Sequence, residues 1–376
     1  MVTNHGISPQ RSNNHETSGH RVPQVAANGM AMRSFVREPD RSPQDVAPCD
    51  RLRGMSEPIG VILLNLGGPE TLADVEPFLV NLFSDREIIR LSPFPFLQKF
   101  IARRIAAKRA PKSREAYGLI GGGSPLARIT GEQGRALEEA LSGQGDFRVS
   151  MAMRYWQPGA EAALAELART GISRIVALTL YPHYSRATTG SSLDELRKAV
   201  AASGHAFELV EIREWSDQPG YVACLAQSIQ DGLAGFGGEP AELVYSAHSL
   251  PVSFIREGDP YLDQIRLTIG AVEKITGLKG RLCFQSRSGP VEWLSPSTPE
   301  MLGQLAGEGV KNVLVMPISF VSDHVETLYE IDIQYRELAG SLGLRLERTA
   351  SLNTSPAFIG GLSDLVSAAC RQRGWL

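Results

Sequence analysis

His248 stands in YSAHSLP (245–251), directly after the apolar run Leu243–Ala247. An imidazole titrates near neutrality and is a good nitrogen ligand for borderline metals such as Fe2+, so a residue here could hold a metal or move a proton. A histidine hydrogen-bonded within a turn is the other reading that position alone permits. Further on, SDHVETLYEID (322–332) places Asp323, Glu326 and Glu330 at i, i+3 and i+7. That spacing predicts one acidic stripe along a helix whose N-cap is Ser322. A row of like charges destabilises a helix. It is therefore either a solvated face or a path for cations and protons, because carboxylates ligate iron and accept protons.

Two glycine-rich pieces carry weaker signals. IGGGSPL (120–126) lacks the G-K-[ST] ending and the strand context of a phosphate loop. TTGSS (188–192) follows a strand and opens a helix, which fits an anion site or, more simply, a capping turn. The segment 91–109 joins three phenylalanines to an Arg/Lys cluster. It reads as a surface that lies on a membrane or lines a hydrophobic ligand's entry, or else as an ordinary amphipathic helix.

Positioning these groups requires a scaffold, and the apolar runs supply one. Ile59–Leu66, Phe147–Met153, Arg174–Leu180 and Phe207–Ile212 form a first set. Leu243–Ala247, Arg281–Phe284, Asn312–Ile318 and Leu344–Arg348 form a second. Near-continuous apolar runs are expected of strands buried on both faces of a parallel sheet. Helical spacing between them, as at 159–169 and 219–233, gives the alternation of a doubly wound α/β fold. The sets look duplicated. LARTGISRIVALTLYPHYS (167–185) parallels LAGEGVKNVLVMPISFVSD (305–323), with Gly171 and Gly309 at matching helix stops. WSDQPGYVACL (215–225) likewise parallels LNTSPAFIGGL (352–362). The expectation is two similar Rossmann-like lobes, each a four-stranded parallel sheet, around a cleft: 57–236 and 237–376, with the last helix packing back on the first lobe. Ligands bind at the carboxyl ends of such strands, where His248 and most unusual polar residues fall.

Composition sets limits. The 376 residues are 43% apolar and 21% charged, with a net charge of −3. That is ordinary for a globular protein and gives no basic field for nucleic acid. No apolar run reaches the roughly 18 residues of a membrane span, and no basic-then-apolar leader occurs. The expected location is cytoplasmic, peripheral at the inner membrane face. Residues 1–56 are polar and expected to be disordered. Cys49, Cys224, Cys283 and Cys370 lie far apart and read as free thiols.

Taken in order, LLNLGGPET, Tyr117 with IGGGSPL, MRYWQP, LYPHYSRATTGSS, YSAHSLP, GDPY, FQSRSGPVEWL and PISFVSDHVETLYEID closely resemble the ferrochelatase family from about 59 to about 358. The resemblance implies a chelatase fold that inserts Fe2+ into protoporphyrin IX. It implies that His248 and Glu326 are the catalytic and metal-binding pair, with Asp323, His324 and Glu330 as a proton or metal path. It places porphyrin contacts on Leu66, Tyr117, Ser124, Arg154, Tyr155 and Trp293. An imidazole on one face of the ring and a carboxylate on the opposite side would share metal binding and proton removal. No cofactor is expected to be bound permanently. Some members bind a [2Fe–2S] cluster through a cysteine-bearing C-terminal extension. With Arg186-Ala187 where those members carry another ligand, no such cluster is expected here. Expected partners are porphyrin, ferrous iron, a membrane surface through 93–101 and the preceding haem-pathway oxidase. A coproporphyrin or cobalt chelatase, and a non-catalytic bilobal tetrapyrrole binder, are the alternatives.

Overall fold

All eight apolar runs form parallel strands in a computed structural model that describes residues 57–287 and 289–376. The disorder expected of 1–56 lies outside the described residues. The first half contains β1 (Ile59–Asn65), α1 (Val75–Ser84), α2 (Pro95–Leu119), α3 (Leu126–Leu141) and β2 (Phe147–Met153). It continues with α4 (Ala160–Arg169), β3 (Arg174–Thr179), α5 (Ser191–Ala202), β4 (Glu208–Ile212) and α6 (Pro219–Ala234). The second half contains β5 (Glu242–His248), α7 (Val252–Arg256), α8 (Tyr261–Thr276), β6 (Arg281–Gln285) and α9 (Thr298–Gly307). It ends with β7 (Asn312–Pro317), α10 (Arg336–Ser341), β8 (Arg345–Arg348) and α11 (Pro356–Arg373).

The sheets have the orders β2-β1-β3-β4 and β6-β5-β7-β8, so the duplicated pattern corresponds to one topology used twice. Every residue of β1 and of β7 is buried, as both-face coverage by helices demands. The matched segments fall at matched places. Gly171 (φ +75°) and Gly309 (φ +82°) take the left-handed conformation after α4 and α9. Pro219 and Pro356 each open a helix at its first position, where no backbone donor is lost.

One hydrophobic core joins the sheets. It includes Val61 and Leu63 from β1, Tyr245 from β5, Leu314 from β7 and Phe358 from α11. The last helix, α11, packs on α3 and α6 and reaches β3 and β4. The Tyr221 hydroxyl on α6 donates to the Ile318 carbonyl beyond β7 at 2.9 Å.

Two helices leave α geometry. Arg186–Gly190 is a π-helical turn that runs into α5, with the Ser185 hydroxyl accepting from the Ala187 N–H. That makes TTGSS part of a continuous helix start. Glu326–Tyr335 is π-helical as well. Here the expectation needs correction: Ser322 is not the N-cap, because the helix begins after Val325. The Ser322 hydroxyl instead accepts from Gln133 of α3 at 3.0 Å.

Candidate active site

Strand β5 ends at His248, and the chain turns there because two groups hold its backbone. Its N–H donates to Ser319 Oγ at 2.9 Å, and the Tyr261 hydroxyl donates to its carbonyl at 2.9 Å. The imidazole is thereby aimed at the π-helix. Its Nδ1 meets Glu326 Oε2 at 2.9 Å. His248 and Glu326 therefore touch, and the two-sided arrangement foreseen from sequence is corrected. Both groups stand on the same side of any ring, because a hydrogen bond leaves no room for a macrocycle between them. The side chains of His248 and Glu326 are 37% and 19% exposed. Among the described residues, His248 Nε2 has no hydrogen-bond partner, so this nitrogen is the one able to face a substrate.

A second layer completes the acidic side. Ser286, just past β6, holds a left-handed backbone (φ +64°) that non-glycine residues seldom adopt. That turn lets its N–H donate to Glu330 Oε1 at 2.9 Å, while its hydroxyl lies 2.7 Å from Glu326 Oε2 and also against Glu330 Oε2. A single hydroxyl hydrogen cannot serve two carboxylates, so one of the two carboxyls must supply the second proton. Gln285 Nε2 adds a long contact to Glu326 at 3.4 Å. The Tyr335 hydroxyl donates to Glu330.

The charges divide accordingly. Burial works against the ionised Glu326, but the adjacent His248 outweighs it and brings the carboxyl down to about 2. Burial by itself would lower the His248 pKa, yet the Glu326 carboxylate leaves it raised. Glu330 is raised, first by burial and then by the negative charge of Glu326. Each member of the pair thus favours the charged form of the other, next to a carboxyl with enhanced proton affinity.

Asp323 departs from the expected stripe. It precedes the helix and is bound by Asn353 Nδ2 at 2.8 Å, Ser351 Oγ at 2.7 Å and Arg348 at 3.3 Å. Only Glu326 and Glu330 share the site's inner face. His324 is buried, with Nδ1 near the Ser322 carbonyl at 3.0 Å and Phe320 against its ring. Burial lowers its pKa and so favours the neutral imidazole.

The first-half candidates partly converge. Tyr117 and Tyr155 share an apolar cluster with Leu66 and with Val325, the residue before Glu326. Burial, and then the charge of Glu326, raises the Tyr117 pKa. Ser124 lies against Gly68, where a β-carbon would approach its side chain to 2.6 Å. Gly123 is required for a similar reason: a β-carbon would stand 2.0 Å from the Glu70 carbonyl oxygen. The approach at Gly123 gives IGGGSPL a packing reason for one of its three glycines. Trp293 is half-exposed and pairs with Pro251, close in sequence to His248. Arg154 is engaged by Asp85 at 2.8 Å, a residue that no motif singled out. Ser286, Tyr261 and Tyr335 also went unassigned from sequence. The first two lay in FQSR and GDPY, which marked the places without giving the roles.

Among the described residues, Cys224, Cys283 and Cys370 are free and buried. No helix there is long and apolar enough to cross a membrane. Cavities of about 720 and 430 Å3 lie beside β2 and β6, away from His248 and Glu326.

Comparison with known proteins gives a consistent picture. The family model described as Ferrochelatase matches residues 58–370. A protein named Ferrochelatase from Desulfotalea psychrophila is 59% identical over 82% of this chain and 96% of its own length. Another of that name, from Geotalea uraniireducens, is 55% identical over 83% and 98%. In structure, SirB from Bacillus subtilis with Fe3+ aligns with a TM-score of 0.51 at 10% identity, over 85% of this chain and 98% of SirB. That likeness concerns the fold.

Proposed function

Because this chain belongs to the ferrochelatase family, a family of metal–porphyrin lyases with Fe2+ as a substrate, we propose that it inserts Fe2+ into protoporphyrin IX through His248 and Glu326. The observation that carries the assignment of the pair is the 2.9 Å contact between them, with His248 Nε2 left free.

Insertion must remove two pyrrole protons as the metal enters. The pair and its neighbours give those protons a route on one side of the ring. His248 Nε2 faces the pyrrole nitrogens, and Nδ1 is already bonded to Glu326. Glu326 is joined through the Ser286 hydroxyl to Glu330, whose raised proton affinity suits it to receive charge. Protons leave along this line while iron takes the nitrogen lone pairs. His324 and Asp323 flank the line and belong to its outer end. Leu66, Tyr117 and Tyr155 form the apolar wall against which the ring lies, with Ser124 and Trp293 at its margins. An enzyme that binds a bent ring best exposes those lone pairs and speeds insertion.

The exposed Phe94, Phe96 and Phe100, with Arg104 over the Phe100 ring, form a rim suited to a membrane surface and to receiving porphyrin from the preceding oxidase.

The test is loss of protoporphyrin fluorescence with Fe2+ or Zn2+ in sub-stoichiometric protein. Turnover is expected; loss that stops at one equivalent per chain would make the protein a binder. A higher kcat/KM for coproporphyrin, or for cobalt, would transfer the substrate assignment. His248→Ala and Glu326→Ala should each abolish turnover, and activity retained in both would remove the pair from the mechanism.

A further inference from the structure

Arg154 is the obvious cation for a porphyrin carboxylate, yet its charge is already matched inside the protein. Its Nη2 donates to Asp85 Oδ2 at 2.8 Å, and its Nε donates to Ser191 Oγ at 2.7 Å. Glu195 adds a second carboxylate at 3.8 Å. The same Asp85 Oδ2 also accepts from the Tyr155 hydroxyl at 2.7 Å and from Ser191 Oγ at 2.5 Å. One carboxylate oxygen thus collects three donors, from the end of β2 and the start of α5. The Asp85 and Arg154 side chains are 7% and 18% exposed, so the pair is largely withdrawn from water. Burial opposes the Asp85 charge, but these donors more than offset it and hold its pKa below the ordinary value.

Asp85 is also the root of an arm. It closes α1, and its other oxygen accepts from the Glu87 N–H at 2.8 Å while its carbonyl accepts from the Ile89 N–H. The rest of the arm is held as a unit. Buried Gln98 accepts from the Leu91 N–H and donates to the Phe83 and Ile89 carbonyls. Arg86 donates to the Ser92 carbonyl. The arm is thus anchored at Asp85 and again through Gln98 of α2, and it leads to the exposed phenylalanines of the rim.

We infer that Asp85 is a positioning residue for porphyrin: it fixes the Tyr155 wall and the 85–94 arm through one carboxylate, and the Arg154 charge is consumed there rather than by the substrate. The inference rests on the reading that the ring lies against Leu66, Tyr117 and Tyr155.

The experiment uses the full chain with Asp85→Asn, Arg154→Gln, the double variant and Tyr155→Phe. Two quantities are read: the dissociation constant of metal-free protoporphyrin IX by fluorescence quenching, and kcat and KM for Zn2+ insertion. Each single charge variant leaves a buried ion without its partner, which is worse than removing both. Asp85→Asn and Arg154→Gln should each weaken porphyrin binding and raise KM about tenfold, short of the roughly hundredfold that a 1 Å misplacement can cost. The double variant, with two neutral amides able to pair, should return to within about threefold of wild type. Tyr155→Phe removes one donor and leaves the charges intact. It should raise KM by roughly threefold with kcat nearly held, the signature of lost uniform binding. If a single charge variant fails to fold, Tyr155→Phe and the double variant still decide the matter. A double variant as weak as Arg154→Gln would overturn the inference by giving the charge to the porphyrin, and so would a Tyr155→Phe that lowers kcat at unchanged KM. Wild-type binding without turnover would instead sink the proposed function and leave the clamp standing.

Discussion

At the residue scale, the site turns on one shared hydrogen bond. Histidine and glutamate separately would titrate on either side of pH 5; placed 2.9 Å apart, each favours the other's charged form. The sign of the effect is fixed. Removing the Glu326 charge removes what raises His248 and leaves the burial that lowers it. Glu326→Gln is therefore expected to move the His248 titration to lower pH. The check is its imidazole proton resonance followed from pH 5 to 9 in metal-free protein, and an unchanged midpoint would contradict the pairing. From the sequence, both residues could be named, because YSAHSLP and HVETLYEID are distinctive. Their contact could not, because they are 78 positions apart and the chain between them forms two strands and three helices whose packing sets the distance.

At the scale of elements, the late start of the helix and the left-handed turn at Ser286 shape the acidic side. The helix begins only after Val325, so Asp323 lies outside it and turns to Arg348, while Glu326 and Glu330, four residues apart, share the inner face. The i, i+3, i+7 stripe read from sequence assumed a uniform α-helix, and that assumption hid the division. Ser286 then joins the two glutamates. Ser286→Ala should leave the fold intact and lower metal insertion by about one order of magnitude, a modest share of what proton transfer groups supply. Steady-state Zn2+ insertion beside a thermal melt separates the two effects. A full loss of activity with an unchanged melt would give Ser286 a role beyond the bridge, and undiminished activity would remove it from the proton route.

At the scale of the whole molecule, two sheets of identical order share a core, and the arm between α1 and α2 carries the rim away from it. Phe94, Phe96 and Phe100 are 57%, 78% and 56% exposed, a large apolar area to leave in water. Replacing all three by serine should all but abolish co-sedimentation with anionic lipid vesicles, because each buried aromatic side chain contributes roughly 2 kcal/mol, more than about tenfold, to such partitioning. It should spare Zn2+ insertion in detergent-free solution. Equal sedimentation of both proteins would leave the rim without a membrane role.

The sequence by itself determined the eight strands, the duplicated topology, the helix stops at Gly171 and Gly309 and the two residues proposed as the catalytic pair. These follow from local rules: apolar period, backbone conformation and motif order act over a few residues and need no partner. What only the tertiary structure decided are the long-range convergences. The same-side placement of His248 and Glu326, the bridge at Ser286 and the engagement of Arg154 by Asp85 each depend on two elements meeting. A loop aspartate such as Asp85 has no distinctive spacing of its own. Its meaning comes from the strand end and helix start that packing brings to one of its oxygens.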